Sequence, residues 1–325
     1  MDKTITIKNL FPREFQGILG QLHEIYEGLQ EIRIRVNAPC IFVIDRKEFF
    51  PDRSGKLTCD IRKAAVFTQD EVEAIFNHIC HYSPYAYESQ LRQGYLTVAG
   101  GHRVGICGQA VMEGDKVMLM KQICFLHIRV VHEVPGVSDA LLPYLYEEGR
   151  FLNTLIISPP GAGKTTMLRD IARVVSDGNR YQAGMQVCII DERSEIAGCY
   201  MGMPQTRIGV RSDVLDGCPK AVGMLMAIRA MGPQLIVVDE LGLKEDYEAL
   251  FHASGCGIRL LASIHGKDLE DVFGKNQGYR QVFCDIFERF LLLGWTKGRD
   301  GVRQVWQVSD GEGRCIGRCG QEAGR

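Results

Sequence analysis

The sequence predicts an α/β protein: a parallel sheet covered by helices, preceded by a smaller α+β N-terminal domain. Three observations predict it. From Asn153 onward, short apolar runs alternate with helical patterns, the alternation that builds a parallel sheet with both faces covered. Two of those runs end in Asp-Glu, at 191–192 and 239–240. A third leads directly into a short Gly-containing loop and then a helix.

The bulk properties set limits. The chain has 325 residues, room for two domains. Apolar residues make up 46% and charged residues 24%, ordinary for a soluble globular chain. The formal charge is −2, and a protein whose main task is to grip a nucleic-acid backbone usually carries a basic excess. No specific nucleic acid is therefore expected. The 12 cysteines include no CxxC pair. Cys315 and Cys319 sit in a Gly- and Arg-rich stretch without the second pair or the His that a zinc site needs, so reduced thiols of a cytoplasmic protein are expected. Met1-Asp2-Lys3-Thr4 does not open a signal peptide, and no apolar run reaches the roughly 18 residues of a membrane span. Work at a membrane would require partners to hold the protein there.

Along the chain, residues 1–145 read as the N-terminal domain. Ile32, Ile34 and Val36 alternate with Arg33, Arg35 and Asn37, the period of a half-buried strand. Thr68 precedes Gln69-Asp70-Glu71, and Val72, Ile75, Phe76 and Ile79 follow at helical spacing, which predicts an N-capped amphipathic helix. Residues 94–120 read as strands joined by Gly turns. Residues 125–131 fit a helix or a strand equally. Pro135-Gly136 marks a boundary, and 141–146 reads as a short linker helix. The core spans 146–310, with strands at 154–158, 187–191, 235–239 and 258–263 and helices at 164–176 and 219–231. In the second helix Ala221, Met224, Leu225, Ile228 and Met231 form the expected buried stripe. A terminal hairpin turns across 297–301, and 311–325 is expected to be a flexible tail.

The loop carries the chemistry. Ser158-Pro159-Pro160-Gly161-Ala162-Gly163-Lys164-Thr165-Thr166 follows the buried strand Thr154-Leu155-Ile156-Ile157 and opens a helix, the context of a P-loop. Unpaired N–H groups at the helix start converge on phosphate oxygens, and Gly161 and Gly163 allow close approach. Lys164 is expected on the β- and γ-phosphates, Thr165 on Mg²⁺ and Thr166 near the α-phosphate of ATP. The usual pattern opens with Gly where this chain has Ser158; Pro159-Pro160 constrain the loop instead.

The acidic strand ends supply the metal side. The run Leu235-Ile236-Val237-Val238-Asp239-Glu240 suits a Walker B strand lying beside the P-loop strand, with Asp239 on Mg²⁺ and Glu240 polarising the attacking water. Asp191-Glu192 ends the other strand, and carboxylates there face the crevice where α/β proteins bind ligands. Asp191 is a second candidate for the metal and Glu192 a second candidate base. His265, at the end of a third strand, is a candidate γ-phosphate sensor, although a lone His is more often structural. His78 and His81 read as ordinary helix-end residues.

The order of P-loop, Ile190-Asp191-Glu192-Arg193-Ser194-Glu195-Ile196, Val238-Asp239-Glu240-Leu241-Gly242 and Ser263-Ile264-His265 resembles the secretion ATPases of type II and type IV pilus systems, which have RecA-like cores. Within that superfamily the chain is similar to the stage III sporulation protein AA family of endospore-forming bacteria, on Gly209-Val210-Arg211-Ser212-Asp213-Val214-Leu215-Asp216-Gly217-Cys218-Pro219-Lys220, on Glu31-Ile32-Arg33-Ile34-Arg35 and on Gly100-Gly101-His102-Arg103-Val104-Gly105. The resemblance implies an ATPase that forms a homo-oligomeric ring, expected to be a hexamer, with ATP between subunits. It implies membrane-protein partners in a stage III sporulation complex, and a place in the mother-cell cytoplasm, peripheral at the membrane. Glu192 then falls in an acidic box, Glu240 in Walker B and His265 in a histidine box, leaving Glu192 and Glu240 unranked as base. It also implies an arginine reaching the γ-phosphate of a neighbouring subunit: Arg103 or Arg129 from the N-terminal domain, Arg207 or Arg211 from the core. The secretion ATPases' Cys-rich zinc insertion is missing. The competing reading is a nucleic-acid-binding RecA-like ATPase; the lack of a basic tract or an aromatic single-strand groove argues against it. A small-molecule kinase lacks a visible lid, and an ABC-type ATPase lacks its signature.

Overall fold

The computed structural model describes residues 3–275, 277–298 and 301–319. The chain divides into two compact units, one of residues 1–132 and 198–205, the other of 133–197 and 206–325.

The first unit is built on an antiparallel sheet of seven strands. In chain order these are β1 (Leu29–Arg35), β2 (Ile41–Ile44), β3 (Lys47–Pro51), β4 (Leu57–Thr58), β5 (Tyr95–Thr97), β6 (Arg103–Glu113) and β7 (Lys116–Arg129). They lie in the order β4-β3-β2-β1-β7-β6-β5. The alternation read at 32–36 is real: Ile32 and Ile34 are buried while their neighbours are not. The segment that fitted either a helix or a strand is the end of β7, because pairing with β1 on one side and β6 on the other uses its backbone groups. Helix Gln69–Ile79 begins with the predicted cap, in which the Thr68 hydroxyl accepts from the Glu71 N–H and the Glu71 carboxylate accepts from the Thr68 N–H. Its Val72, Ile75, Phe76 and Ile79 enter the core with Ile32, Ile34, Val104 and Ile128.

The second unit is the α/β core. After the short pair β8 (Tyr146–Glu147) and β9 (Arg150–Phe151) come β10 (Thr154–Ser158), β11 (Val187–Asp191), β12 (Ser212–Asp216), β13 (Leu235–Val238), β14 (Arg259–His265), β15 (Arg289–Gly298), β16 (Gly301–Asp310) and β17 (Cys315–Cys319). Their order is β12-β11-β13-β14-β10-β15-β16-β17. Every pair from β12 to β15 is parallel; β16 and β17 return antiparallel. Strands β10, β11 and β13 are buried along their whole length, as continuous apolar runs at the centre of a parallel sheet should be.

Four expectations change. Strand β13 is not beside the P-loop strand β10: β14 lies between them and pairs with both. The 311–325 tail is not all irregular, since Cys315–Cys319 pairs with β16 and ladder bonds order a composition that reads as loop; residues 320–325 lie outside the described residues, as does part of the hairpin turn at 299–300. Strand β12 was not anticipated, because an edge strand half exposed along its length lacks an apolar run. In helix Lys220–Ala230 the fully buried residues are Gly223, Met224 and Ala227, and Met231, expected inside, is exposed; helix Lys244–Gly255 packs against this helix.

Helix Lys164–Asp177 carries a buried aspartate that ties it to the segment 136–138. Both oxygens of Asp170 are used: Oδ1 accepts from the Gly136 N–H at 3.1 Å and from Arg173, and Oδ2 from the Ser138 N–H at 2.9 Å and hydroxyl at 2.7 Å. Burial alone would raise this carboxyl, but the Ser138, Arg173 and Gly136 bonds outweigh burial and hold it below its ordinary value. A lowered folded value means stability that is present above the unfolded value, about 4, and lost as the pH falls through the folded one. Asp170→Asn is therefore expected to lose about 1–3 kcal/mol at pH 7 in denaturant unfolding of the full chain. The deficit should narrow on acidification, as the wild-type carboxyl also takes up a proton.

Candidate active site

The P-loop leaves β10 at Ser158, which is fully buried. Gly161 has φ 74° and Gly163 φ 87°, both in the left-handed region that glycine enters without strain. Gly163 is the residue before helix Lys164–Asp177, so a left-handed residue is followed at once by helical ones. That sequence of conformations turns successive N–H groups toward one point and makes an anion-binding concavity. Pro159, Pro160 and Gly161 lie exposed at the mouth, Ala162 is packed beneath, and Thr166 continues the helix. A Cβ on Gly161 would meet nothing within 4 Å, so that glycine is required by backbone angle rather than by crowding.

Asp239, just past β13, gathers the rest. Its Oδ2 accepts the Thr165 hydroxyl at 2.8 Å. Its Oδ1 accepts the Ser263 hydroxyl and lies 3.6 Å from Lys164 Nζ. The Lys164 and Asp239 side chains are 8% and 14% exposed, and charges so enclosed are tolerable only when paired. Ser263 also accepts the Glu240 N–H at 2.9 Å. That bond fixes a residue whose φ is 49°, a strained value for a non-glycine and one that concentrates at functional sites. The Glu240 carboxylate in turn lies 3.2 Å from His265 Nε2 and 3.1 Å from Arg193 Nη1. His265 Nδ1 is 3.3 Å from the Ser158 carbonyl oxygen. Both partners of the ring are acceptors, so it satisfies both only when both nitrogens carry hydrogen.

Asp191, at the end of β11, is held by backbone amides. It is 1% exposed, and it accepts the N–H groups of Glu195 at 2.8 Å, Ile196 at 3.0 Å and Ala197 at 2.8 Å. Burial raises its pKa to about 6 against the pull of those three bonds. Its described bonds hold the turn after β11. Arg169 braces the same turn from the P-loop helix, donating to the Ile196 and Glu195 carbonyls. Glu192, the next residue, pairs with Lys220.

The oxygen set suits a small hard cation: one hydroxyl and one carboxylate, next to amides and a lysine disposed for phosphates. Among the described residues no group of three His, Cys, Asp or Glu side chains could by itself hold a metal ion. The residues present therefore fit a magnesium nucleotide.

Residues 1–313 match the family described as "Sporulation stage III, protein AA". The chain belongs to that family. It is 36% identical over 313 residues to stage III sporulation protein AA of Bacillus subtilis (strain 168), an overlap of 96% of this chain and 97% of that one. In fold it is similar to the pilus retraction motor PilT, solved with bound ADP, at a TM-score of 0.61 and 16% identity, covering 90% of this chain and 82% of that one. It is likewise similar to the ATPase DotB of Legionella pneumophila, at 0.58 and 16% identity, covering 90% and 79%. At that identity the likeness concerns the fold alone: an α/β, RecA-like core preceded by an antiparallel-sheet unit. No helix among the described residues is long and apolar enough to cross a membrane.

The candidate arginines separate. Arg211 donates to the Ser176 and Asp177 carbonyls, at the far end of the P-loop helix and roughly 20 Å from the loop at about 1.5 Å per residue. Arg207 lines a small pocket with Thr166, Arg169 and Asp170. Arg103 and Arg129 belong to the first unit and stand directly opposite each other on β6 and β7, an arrangement that costs stability between like charges. Arg103 lies over the Tyr95 ring at 3.7 Å.

Sequence reasoning assigned no role at the site to Ser263, Arg193, Lys220 or Arg169. Only Ser263 left a local signal, a hydroxyl within the buried apolar middle of β14. Ser263→Ala removes a donor to Asp239 and the acceptor for Glu240 N–H. Thermal unfolding of the full chain should show a loss of about 1–3 kcal/mol, whereas an unchanged midpoint would deny Ser263 that part.

Proposed function

We propose that this protein is an ATP-hydrolysing motor that works as a homo-oligomeric ring, a hexamer, powering a stage III sporulation complex at the membrane between mother cell and forespore. The observation that carries the ATPase part is the convergence of Lys164, Thr165 and Ser263 on Asp239 beside a left-handed glycine at a helix N-terminus. The motor part rests on family membership and on a fold shared with proteins called an ATPase and a retraction motor.

In this reading the loop from Ser158 to Thr166 holds the phosphates through its N–H groups, and Lys164 sits against the β- and γ-phosphates. Thr165 and Asp239 hold Mg²⁺, with Ser263 fixing the carboxylate. The ion supplies charge neutralisation at the phosphoryl oxygens. Asp191, committed to three amides, shapes the turn behind the metal rather than binding it. Glu240 and Glu192 face the crevice as groups for the attacking water, His265 links Glu240 to the P-loop strand, and Arg103, with Arg129 opposite, is offered to a neighbouring subunit's γ-phosphate. Membrane-protein partners of the complex hold the ring at the cytoplasmic face.

Lys164→Ala is expected to abolish ATP turnover in a phosphate-release assay; full hydrolysis by that variant would remove the site assignment. Mass measurement with and without ATP reads the ring. In mixtures with wild type, Arg103→Ala should depress the activity of its neighbours below the simple average, and rings whose wild-type subunits keep full activity contradict the shared-arginine arrangement. Stimulation by single-stranded DNA, rather than by membrane-protein partners, would favour the nucleic-acid ATPase instead.

A further inference from the structure

The crevice beside Asp239 holds an imbalance that phosphate binding does not explain. Five carboxylates, those of Asp191, Glu192, Glu195, Asp239 and Glu240, line it against two cations, Arg193 and Lys220. Lys220 is the first residue of helix Lys220–Ala230, the end at which the helix dipole disfavours positive charge. Its side chain is only 12% exposed, and an ammonium so enclosed needs a partner. That partner is Glu192, whose Oε2 accepts from Lys220 Nζ. A lysine enclosed at the unfavourable end of a helix and bonded to one strand-tip carboxylate implies that the carboxylate's position matters. The two glutamates also differ. Glu240 is engaged at both oxygens, by His265 and by Arg193. Glu192, which also lines the crevice, is engaged at Oε2 alone among the described bonds, leaving Oε1 without a described partner.

We infer that Lys220 is a positioning residue: it grips Glu192 by one oxygen so that the other takes the proton of the attacking water. The inference rests on the ATP hydrolysis proposed above and ranks its two candidate bases. In the step, the water oxygen bonds to the γ-phosphorus as the bond from that phosphorus to the β–γ bridging oxygen breaks. ADP leaves with the electron pair, and the water's proton passes to Glu192 Oε1 and then to solvent. Lys220 touches neither water nor phosphate and acts through Glu192.

The test uses the full chain, with kcat measured by phosphate release and affinity by titration of a fluorescent ATP analogue with Mg²⁺. Lys220→Met should lower kcat about 10- to 100-fold, with analogue affinity within about threefold of wild type. Lys220→Arg should restore most of the rate. The double variant Glu192→Gln/Lys220→Met should be no slower than Glu192→Gln alone, because residues acting as a unit are not additive. Full rate in Lys220→Met, multiplied losses in the double variant, or a loss of analogue affinity that accounts for the slower rate would each overturn the inference. Should Lys220→Met fail to fold, Glu192→Gln decides: a wild-type rate overturns it, and a slow rate at unchanged analogue affinity supports it. A wild-type chain that binds and hydrolyses no nucleotide overturns the proposed function itself; a hydrolysing wild type beside an unaffected Lys220→Met overturns only the part given to Lys220.

Discussion

One enclosed anion organises the second unit. The carboxylate of Asp239 is mostly withdrawn from water and must be matched by donors, and those donors come from two other segments: Lys164 and Thr165 after β10, and Ser263 within β14. Asp239 itself follows β13. The three strands are neighbours in the order β13-β14-β10, so the site exists only when the sheet is assembled. Ser263 lies on the middle strand and both donates to Asp239 and accepts from Glu240. Its hydroxyl thereby fixes the Asp239–Glu240 segment against β14, the strand that also pairs with β10.

The charges are sorted across that spacing. On one side stand the helix N-terminus, its amides and Lys164; on the other, carboxylates at the tips of β11 and β13. A free anion would suit the first side and be repelled by the second, and a free divalent cation the reverse. A polyphosphate carrying its own cation suits both, which is why the arrangement points to a magnesium nucleotide rather than to either component alone. The strained backbone of Glu240 fits the same logic, since such strain survives only where surrounding bonds over-determine it.

Much of this was legible in the sequence where the cause is local. The P-loop, the capped helix beginning after Thr68 and the buried strands β10, β11 and β13 declare themselves through spacing within a few residues. Contacts between distant segments did not. Nothing near Lys220 indicates that its partner is Glu192, and nothing near Asp170 indicates Gly136 and Ser138. The place of β14 between β10 and β13 is likewise a property of the crossovers, invisible in any one strand. The three backbone amides around Asp191 were not legible either, because a strand-end carboxylate looks alike in sequence whatever surrounds it. Composition misled at Cys315–Cys319, where pairing with β16 gives order to a Gly/Arg-rich stretch, and at Met231, where helical periodicity ran one residue past the helix into solvent.

The central claim is that Asp239 and Thr165 form one wall of a metal–nucleotide site whose other wall is the amide-lined loop. Anomalous diffraction from crystals of the full chain grown with Mn²⁺ and a non-hydrolysable ATP analogue tests it most directly. The account predicts a manganese peak within coordination distance of the Thr165 hydroxyl, with Asp239 bound to it directly or through water, and the analogue's phosphates along Gly161–Thr166. A nucleotide bound elsewhere, or a metal held at Asp191 and away from Thr165, would contradict it.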